Sequence, residues 1–273
     1  MLSLGGTWVK SRGSASGPIV VKIGGSTLGN HDTTLEDLVT LQQSGVPTVV
    51  VHGGGNLVSD WLGRLQIRVS FTRGSRVTSA ETLQVVIAVL AGLVNKGLVA
   101  SLEAQGARAM GLSGIDGGLF EAEIRDAEMG YVGEVVKVNT ALLESVMQAG
   151  FIPVVAPLGL QAAPRTQNNW FILNVNGDKV AGEIAAAIGA DRLVFLTDVA
   201  GIRDGSGRPL RQLSREQAKS LIDCGVASGG MIPKIEACLR ALPTVPVTRI
   251  IDGRLPHVLL KEVEGAGDGT TIA

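Results

Sequence analysis

Short runs of apolar and β-branched residues recur through the chain, and each leads through glycine into a helical pattern. They lie at 19–23, 48–51, 107–112, 151–156, 193–197 and 247–251. Several are apolar at nearly every position, where a strand with one wet face would alternate, so they suit strands covered on both sides. Strands of that kind separated by helices specify a mainly parallel sheet between helical layers, an α/β fold. Helical periodicity is legible at 35–43, from about 80 to 105, and at 140–148, 179–188, 214–223 and 231–242. Ser214 followed by Gln217 fits a capping box and marks the start of its helix. The polar stretch 162–170, which contains Pro164, is either a hairpin tip or the join between two lobes. Residues 131–139 alternate enough to form an edge hairpin.

With 273 residues and 45% hydrophobic side chains, the chain can bury a large core, which excludes general disorder. Its 24 basic and 25 acidic residues nearly cancel to a net charge of −1, so no overall field holds it on nucleic acid. Cys224 and Cys238 are too few for a disulfide framework or a four-cysteine zinc site and read as small core or surface residues. His31, His52 and His257 are the only histidines, which disfavours a multi-histidine metal centre. The longest uninterrupted apolar run, 85–94, is about half of the roughly 20 residues a membrane span requires, so no transmembrane segment is expected. Residues 1–17 are rich in glycine and serine, read as a flexible tail, and lack an apolar stretch of signal-peptide length. A reducing, cytoplasmic setting is therefore expected.

Glycines gather directly after the strands, at Gly24-Gly25, Gly53-Gly54-Gly55, Gly111 with Gly114, and Gly117-Gly118. Such a turn either closes a tight βα connection or presents backbone N–H groups at a helix N-terminus to a phosphate or carboxylate. The familiar nucleotide signatures are missing. The dipeptide Gly-Lys does not occur, which excludes G-x-x-x-x-G-K-[ST], and His52-Gly53-Gly54-Gly55 does not continue as G-x-G-x-x-G. The same four residues are similar to the oxyanion-hole segment of esterases, but the serine of G-x-S-x-G is absent.

Lys22 lies inside the first apolar run, just before Gly24-Gly25. A lysine in a doubly covered strand is costly unless its ammonium reaches a partner or an open site. It is either an edge-strand lysine facing solvent or an anion ligand. Lys234 follows Gly229-Gly230 and Pro233 near the start of a helix, where the dipole disfavours a cation unless an anion is bound; the other reading is a solvated surface lysine. In Asn174-Val175-Asn176-Gly177-Asp178 the two asparagines point to one face, and Asp178 is placed to cap the helix near Lys179.

Taken in order, Lys22 to Ser26, His52 to Gly55, Arg76-Val77-Thr78, Asn174 to Asp178, Thr197 to Ile202 and Gly229 to Lys234 resemble the amino acid kinase family, in its branch acting on N-acetyl-L-glutamate. The resemblance implies a three-layer α/β/α sandwich, with an amino-acid-substrate lobe over 18–173 and an ATP-binding lobe over 174–273. It implies transfer of a phosphoryl group from ATP with Mg²⁺ to the γ-carboxylate of N-acetyl-L-glutamate, the second step of arginine biosynthesis. It assigns Lys22 and Lys234 to the transferring phosphoryl group, with Gly25 and Gly54 as backbone donors and Asp178 holding both lysines. Arg76 is implied to grip the substrate's α-carboxylate, joined by Gly54, Gly55, Asn174 and Asn176. The nucleotide is implied to contact Lys22, Asp198, Val199, Gly201, Ile202, Arg203, Val226, Ala227, Ser228 and Lys234. No protein side chain is assigned to magnesium, which would arrive on the ATP phosphates.

The physical reading agrees, because phosphoryl transfer needs positioned cations and N–H donors, and a carboxylate acceptor is already ionised and needs no general base. Two departures remain. Gly177 stands where alanine is usual, which leaves a freer backbone, and Ile115 stands where many members carry lysine, which leaves open a kinase of an aminoadipate derivative; a non-catalytic sensor of the same fold is a separate alternative. A homodimer through the helix from about 80 to 105 is expected.

Overall fold

The computed structural model describes residues 17–24, 33–72, 75–162 and 171–273. Gly25, His31, the tail at 1–16 and residues 163–170 lie outside the described residues. From the N-terminus, β1 (Ile19–Ile23), α1 (Thr34–Gln43), β2 (Thr48–His52) and α2 (Gly55–Arg64) precede a short hairpin of β3 (Phe71–Thr72) and β4 (Ser75–Arg76). One continuous helix follows, made of α3 (Ala80–Ile87), a π-helical segment (Ala88–Val94) and α4 (Asn95–Ala104). Next come β5 (Ala109–Ser113), β6 (Phe120–Glu123), β7 (Val132–Val138), α5 (Thr140–Gln148), β8 (Ile152–Ala156), β9 (Leu158–Gln161) and β10 (Ile172–Val175). The chain continues through α6 (Gly177–Ile188), β11 (Arg192–Thr197), β12 (Gln212–Leu213), α7 (Arg215–Asp223), α8 (Met231–Ala241), β13 (Val247–Asp252), α9 (Val258–Val263) and β14 (Thr270–Ile272).

Eight strands form one sheet in the order β12-β14-β13-β11-β1-β2-β8-β5, parallel throughout except between β13 and β14. β1, β2 and β8 are buried along their whole length, as their unbroken apolar runs predict. One core packs α5, α6 and α8 onto the face carrying Val20, Val51 and Phe195. The other packs α1, α4 and α9 onto the opposite face at Ile19, Val21 and Ile23. The result is the three-layer α/β/α sandwich. The capping box of Ser214 and Gln217 is present at the start of α7. Cys224 and Cys238 are free; burial in α8 pushes the Cys238 thiol up to about 12, which leaves it an inert core group.

Two expectations change. The alternating stretch 131–139 is no edge hairpin: β7 pairs with β6 on one side and β10 on the other, and with β9 these strands close a small barrel. Closure this narrow requires a strand without a side chain at the crossing, since a Cβ on Gly133 would lie 2.8 Å from Leu173 Cδ1 and 3.0 Å from Ala122 Cβ. β9 and β10 pair antiparallel, and the stretch between them, 163–170 with Pro164, lies outside the described residues. The helix Ala80–Ala104 has 25 residues and a mean hydropathy of 2.1 in its most apolar window, long and apolar enough to cross a membrane by length and composition. A search for an unbroken apolar run misses it, because Asn95 and Lys96 interrupt the run without ending the helix. In the fold its inner side packs through Leu83, Val86, Leu90, Leu98 and Leu102.

Candidate active site

The site forms at the C-terminal ends of β1 and β2, where the barrel strand β10 runs into α6. Alternation along β1 sends Val20 and Lys22 to the α6 face while Ile19, Val21 and Ile23 face the opposite core. Lys22 is therefore on a central strand and nearly buried, with its Nζ 2.7 Å from Asp178 Oδ1. Lys234, in the first turn of α8, reaches the other oxygen of the same carboxylate at 3.1 Å and also donates to the Gly230 carbonyl. Burial alone would raise the Asp178 pKa, but the two ammonium groups outweigh it and hold the carboxyl below its ordinary value. Two cations share one anion, so the trio carries an excess positive charge that the whole-chain sum conceals.

Asp178 does not cap α6. Asn176 has the extended backbone of an N-cap, and its Oδ1 accepts from the N–H groups of Asp178 and Lys179. Asp178 falls two residues later, inside the first turn, which frees its carboxylate for the lysines. A Cβ at Gly177 between them would be tight, 3.3 Å from the His52 carbonyl oxygen, and in ordinary contact with Lys22 Cε at 3.7 Å, so an alanine there needs the neighbouring backbone to give by a few tenths of an ångström.

A cavity of about 280 Å³ opens beside Lys22 and Asp178, lined by Gly53, Gly54, Gly55, Arg76, Asn174 and Asn176, with Val58, Val86, Leu90 and Phe71 as its apolar wall. Arg76 packs its guanidinium over the Phe71 ring at 4.7 Å. Its Nη2 donates to the Gly55 carbonyl at 3.0 Å and to Ser59 Oγ at 2.7 Å, while Nη1 is buried with no partner among the described residues. Burial lowers the Arg76 pKa from its ordinary value, though a guanidinium remains charged at neutral pH. A buried donor without a partner is costly, and a carboxylate in the cavity satisfies it. Thr78, fully buried, accepts from Asn174 Nδ2 and donates to the Arg76 carbonyl, which ties two of the expected substrate residues together. Sequence reasoning missed Thr78, Ser59 and Phe71. Thr78 stands within the Arg76-Val77-Thr78 motif, but nothing in the sequence shows its partner 96 residues away.

Gly54 occupies the N-cap of α2 at φ 142°, a conformation that favours glycine, and a Cβ there would lie 2.8 Å from Leu90 Cδ2 in the π-helical segment. α8 likewise begins after a glycine, Gly230, and neither helix has a side-chain cap. Among the described residues the first-turn amides of α2 are left to a ligand or water, whereas in α8 Met231 and Ile232 donate to the Ser228 and Gly229 carbonyls and Pro233 has no N–H.

His52, at the end of β2, is fully buried, donates from Nδ1 to the Gly53 carbonyl and accepts from Asn95 Nδ2 at Nε2. Burial lowers its pKa to about 4; the Gly53 hydrogen bond opposes this and the Lys22 charge adds to it. The imidazole is a neutral brace for the glycine turn. The unfolded chain protonates His52 near 6.5 and the native state only near 4. Its contribution is thus complete above about pH 6.5 and is lost as pH falls through about 4, a difference of about 3 kcal/mol. Urea unfolding at pH 7.5 and 5.0 checks this. His52→Gln is expected to flatten the pH dependence, and an unchanged slope would rule the assignment out.

A second cavity, of about 830 Å³, lies between the barrel and the N-terminal turns of α6 and α8, lined by Glu134, Asp178, Lys179, Gly229, Gly230 and Glu236 among others. The two cavities share Asp178, Lys179, Glu134, Asn176 and Val132. Of the residues expected at the nucleotide, Lys22 lines the smaller cavity and Lys234 pairs with Asp178 beside it, but the others fall elsewhere. Asp198, Val199, Gly201, Ile202 and Arg203 follow β11, Val226, Ala227 and Ser228 join α7 to α8, and none of them lines either cavity. Val199 and Val226 are exposed, whereas Ile202 and Ala227 turn their side chains into the core. Ile115 packs beside the apolar cluster of Val58, Leu62, Val86 and Leu158. Among the described residues, no group of three His, Cys, Asp or Glu is placed to hold a metal ion.

Residues 17–251 match the family model described as the amino acid kinase family. A Dehalococcoides mccartyi protein named acetylglutamate kinase is 45% identical over 93% of this chain and 93% of its own length. Among solved structures, smu.665 from Streptococcus mutans is 30% identical with a TM-score of 0.80, covering 94% of this chain and 98% of that one. The N-acetylglutamate synthase of Neisseria gonorrhoeae, solved with coenzyme A and N-acetyl-glutamate, is 26% identical with a TM-score of 0.79 over 94% of this chain and 59% of that one.

Proposed function

The chain belongs to the amino acid kinase family, and from that membership and the site's geometry we propose that it transfers the γ-phosphoryl group of ATP to the γ-carboxylate of N-acetyl-L-glutamate. The product is N-acetyl-L-glutamyl 5-phosphate, an intermediate of arginine biosynthesis. One observation carries the reading: a single buried carboxylate, Asp178, holds two ammonium groups at the mouth of a cavity whose far side carries a buried, unpartnered arginine nitrogen.

In this reading Arg76 holds the acceptor's α-carboxylate, and Gly54, Gly55, Asn174 and Asn176 complete its site. An oxygen of the γ-carboxylate attacks the γ-phosphorus as the bond from that phosphorus to the bridging oxygen breaks, and ADP leaves with the electron pair. No proton moves, so no base is needed. Charge spread over the equatorial oxygens is met by Lys22 and Lys234, kept apart and aimed by Asp178, with backbone donors at Gly54 and Gly25. Residues Asp198, Val199, Gly201, Ile202, Arg203, Val226, Ala227 and Ser228 are assigned to the nucleotide, with backbone contacts where the side chains are buried. Magnesium is assigned to the ATP phosphates, where it neutralises charge; Lys22 and Lys234 fit a site that takes a metal on its substrate. Residues 18–173 form the acceptor half and 174–273 the nucleotide half. The exposed side of the helix Ala80–Ala104 is assigned to a homodimer contact, and the setting is cytoplasmic.

The test is trapping of an acyl phosphate as the hydroxamate with hydroxylamine, ATP and magnesium, comparing N-acetylglutamate, N-acetylaminoadipate and a carrier-protein-linked aminoadipate. Turnover at least tenfold higher on N-acetylglutamate is expected. Equal or better turnover on an aminoadipate derivative overturns the acceptor, and ATP binding without turnover on any acceptor overturns the reaction.

A further inference from the structure

The first turn of α6 carries Asp178 and Lys179 in succession, and they point to different partners. Asp178 turns to Lys22 and Lys234. Lys179 crosses the cleft: its Nζ lies 2.7 Å from Glu134 Oε1 on β7 and 3.9 Å from Glu236 Oε2 on α8. The three elements it joins each supply another part of the site. β7 gives Val132 and Gly133 to the wall of the smaller cavity, α6 gives Asp178, and α8 gives Lys234. Among the described residues, the pair of Lys179 and Glu134 is the only ion pair between the barrel and either helix. Both of its members line both cavities.

A surface ion pair of this exposure, 37% for Lys179 and 49% for Glu134, contributes little to stability. Its placement is what matters. β10 continues through Asn176 directly into α6, so what the pair adds is a hold on β7, whose Val132 and Gly133 wall the same cavity; a shift of β7 against the start of α6 moves the acceptor relative to the lysines. Displacement of reacting groups by about 1 Å is enough to cost up to about 10²-fold in rate. We propose that Lys179 is a positioning residue for phosphoryl transfer: through Glu134 it ties β7, the cavity-wall strand of the barrel, to the helix turn that aims both catalytic lysines. This rests on the kinase reading above, and the experiment separates the two.

Lys179→Met keeps the aliphatic stem and removes the charge. It is expected to lower kcat about tenfold in the hydroxamate assay, with the KM for ATP and the melting temperature nearly unchanged. Glu134→Gln is expected to do the same, and the exchanged pair Glu134→Lys with Lys179→Glu to recover most of the loss that either reversal alone produces. A purely local surface pair would leave kcat alone, and direct phosphate binding by Lys179 would raise the KM for ATP and resist rescue by exchange. Amide hydrogen exchange over 132–138, expected to quicken in Lys179→Met, reads the tether without any turnover. A kcat within twofold of wild type, an exchanged pair no better than its single variants, or unchanged amide exchange overturns the tether. Absence of turnover in the wild type instead overturns the kinase reading, and the amide exchange then decides the tether alone.

Discussion

Lys22→Met is expected to lower phosphoryl transfer by about 10²–10³-fold while the protein stays folded. Removal of one preorganised group aimed at developing charge typically costs that much in kcat. Lys22 is well placed for so large an effect because its ammonium is almost wholly withdrawn from water and paired at 2.7 Å with a carboxylate that a second lysine also holds. The methionine fills the space of the stem, and Asp178 keeps Lys234 as a counter-charge, so the fold is spared. Asp178→Ala behaves differently: it leaves two ammonium groups buried or half-buried side by side with no anion between them. Loss of one partner from a buried pair costs about 3–5 kcal/mol, so this variant is expected to lose stability as well as rate. Hydroxamate formation with thermal unfolding on the same samples separates the outcomes. A Lys22→Met rate within threefold of wild type would remove Lys22 from the reaction.

Arg76→Ala is expected to raise the KM for the acceptor by about 10- to 100-fold with little change in the KM for ATP. Charge-assisted hydrogen bonds contribute about 1.5–3 kcal/mol, and each 1.4 kcal/mol is tenfold in binding. The guanidinium is fixed before any acceptor arrives, by Ser59, the Gly55 carbonyl and the Phe71 ring, so its free Nη1 loses little freedom on binding. Arg76→Lys is expected to rescue poorly, because an ammonium cannot reproduce both the brace and the second donor. Steady-state kinetics with each substrate varied in turn provides the check. An Arg76→Ala enzyme with an unchanged acceptor KM would mean that the α-carboxylate is held elsewhere.

The central strands were legible because they are buried on both faces: β2 and β8 are apolar almost throughout, β1 is broken only by Lys22, β11 carries Leu-Val-Phe-Leu, and β13, reading Val-Thr-Arg-Ile-Ile-Asp, shows itself mainly at Ile250-Ile251. The barrel was not. β6 reads Phe-Glu-Ala-Glu and β9 Leu-Gly-Leu-Gln, short segments whose strand character comes from partners distant in sequence. The π-helical segment is equally silent, since its apolar residues would suit an ordinary α-helix. At the site, burial energetics singled out Lys22, and the desolvated ion pair bears that argument out. Local capping preference misjudged Asp178, because the cap fell to Asn176 and the carboxylate was left for two lysines, one of them 156 residues earlier in the chain. Thr78, Ser59, Lys179 and Glu134 each draw their meaning from a partner that periodicity cannot place.

The glycine before α2 has a further consequence. Asn176 finishes α6 with its own side chain, so that helix is complete in the free protein. α8 is closed by the Ser228 and Gly229 carbonyls, together with Pro233, which has no N–H to satisfy. α2 begins after Gly54, a residue with no side chain to offer, and of the three helices it alone has an opening turn left for an anion to finish. For that helix the bound acceptor is the missing cap, and occupancy of the site adds to the stability of the fold.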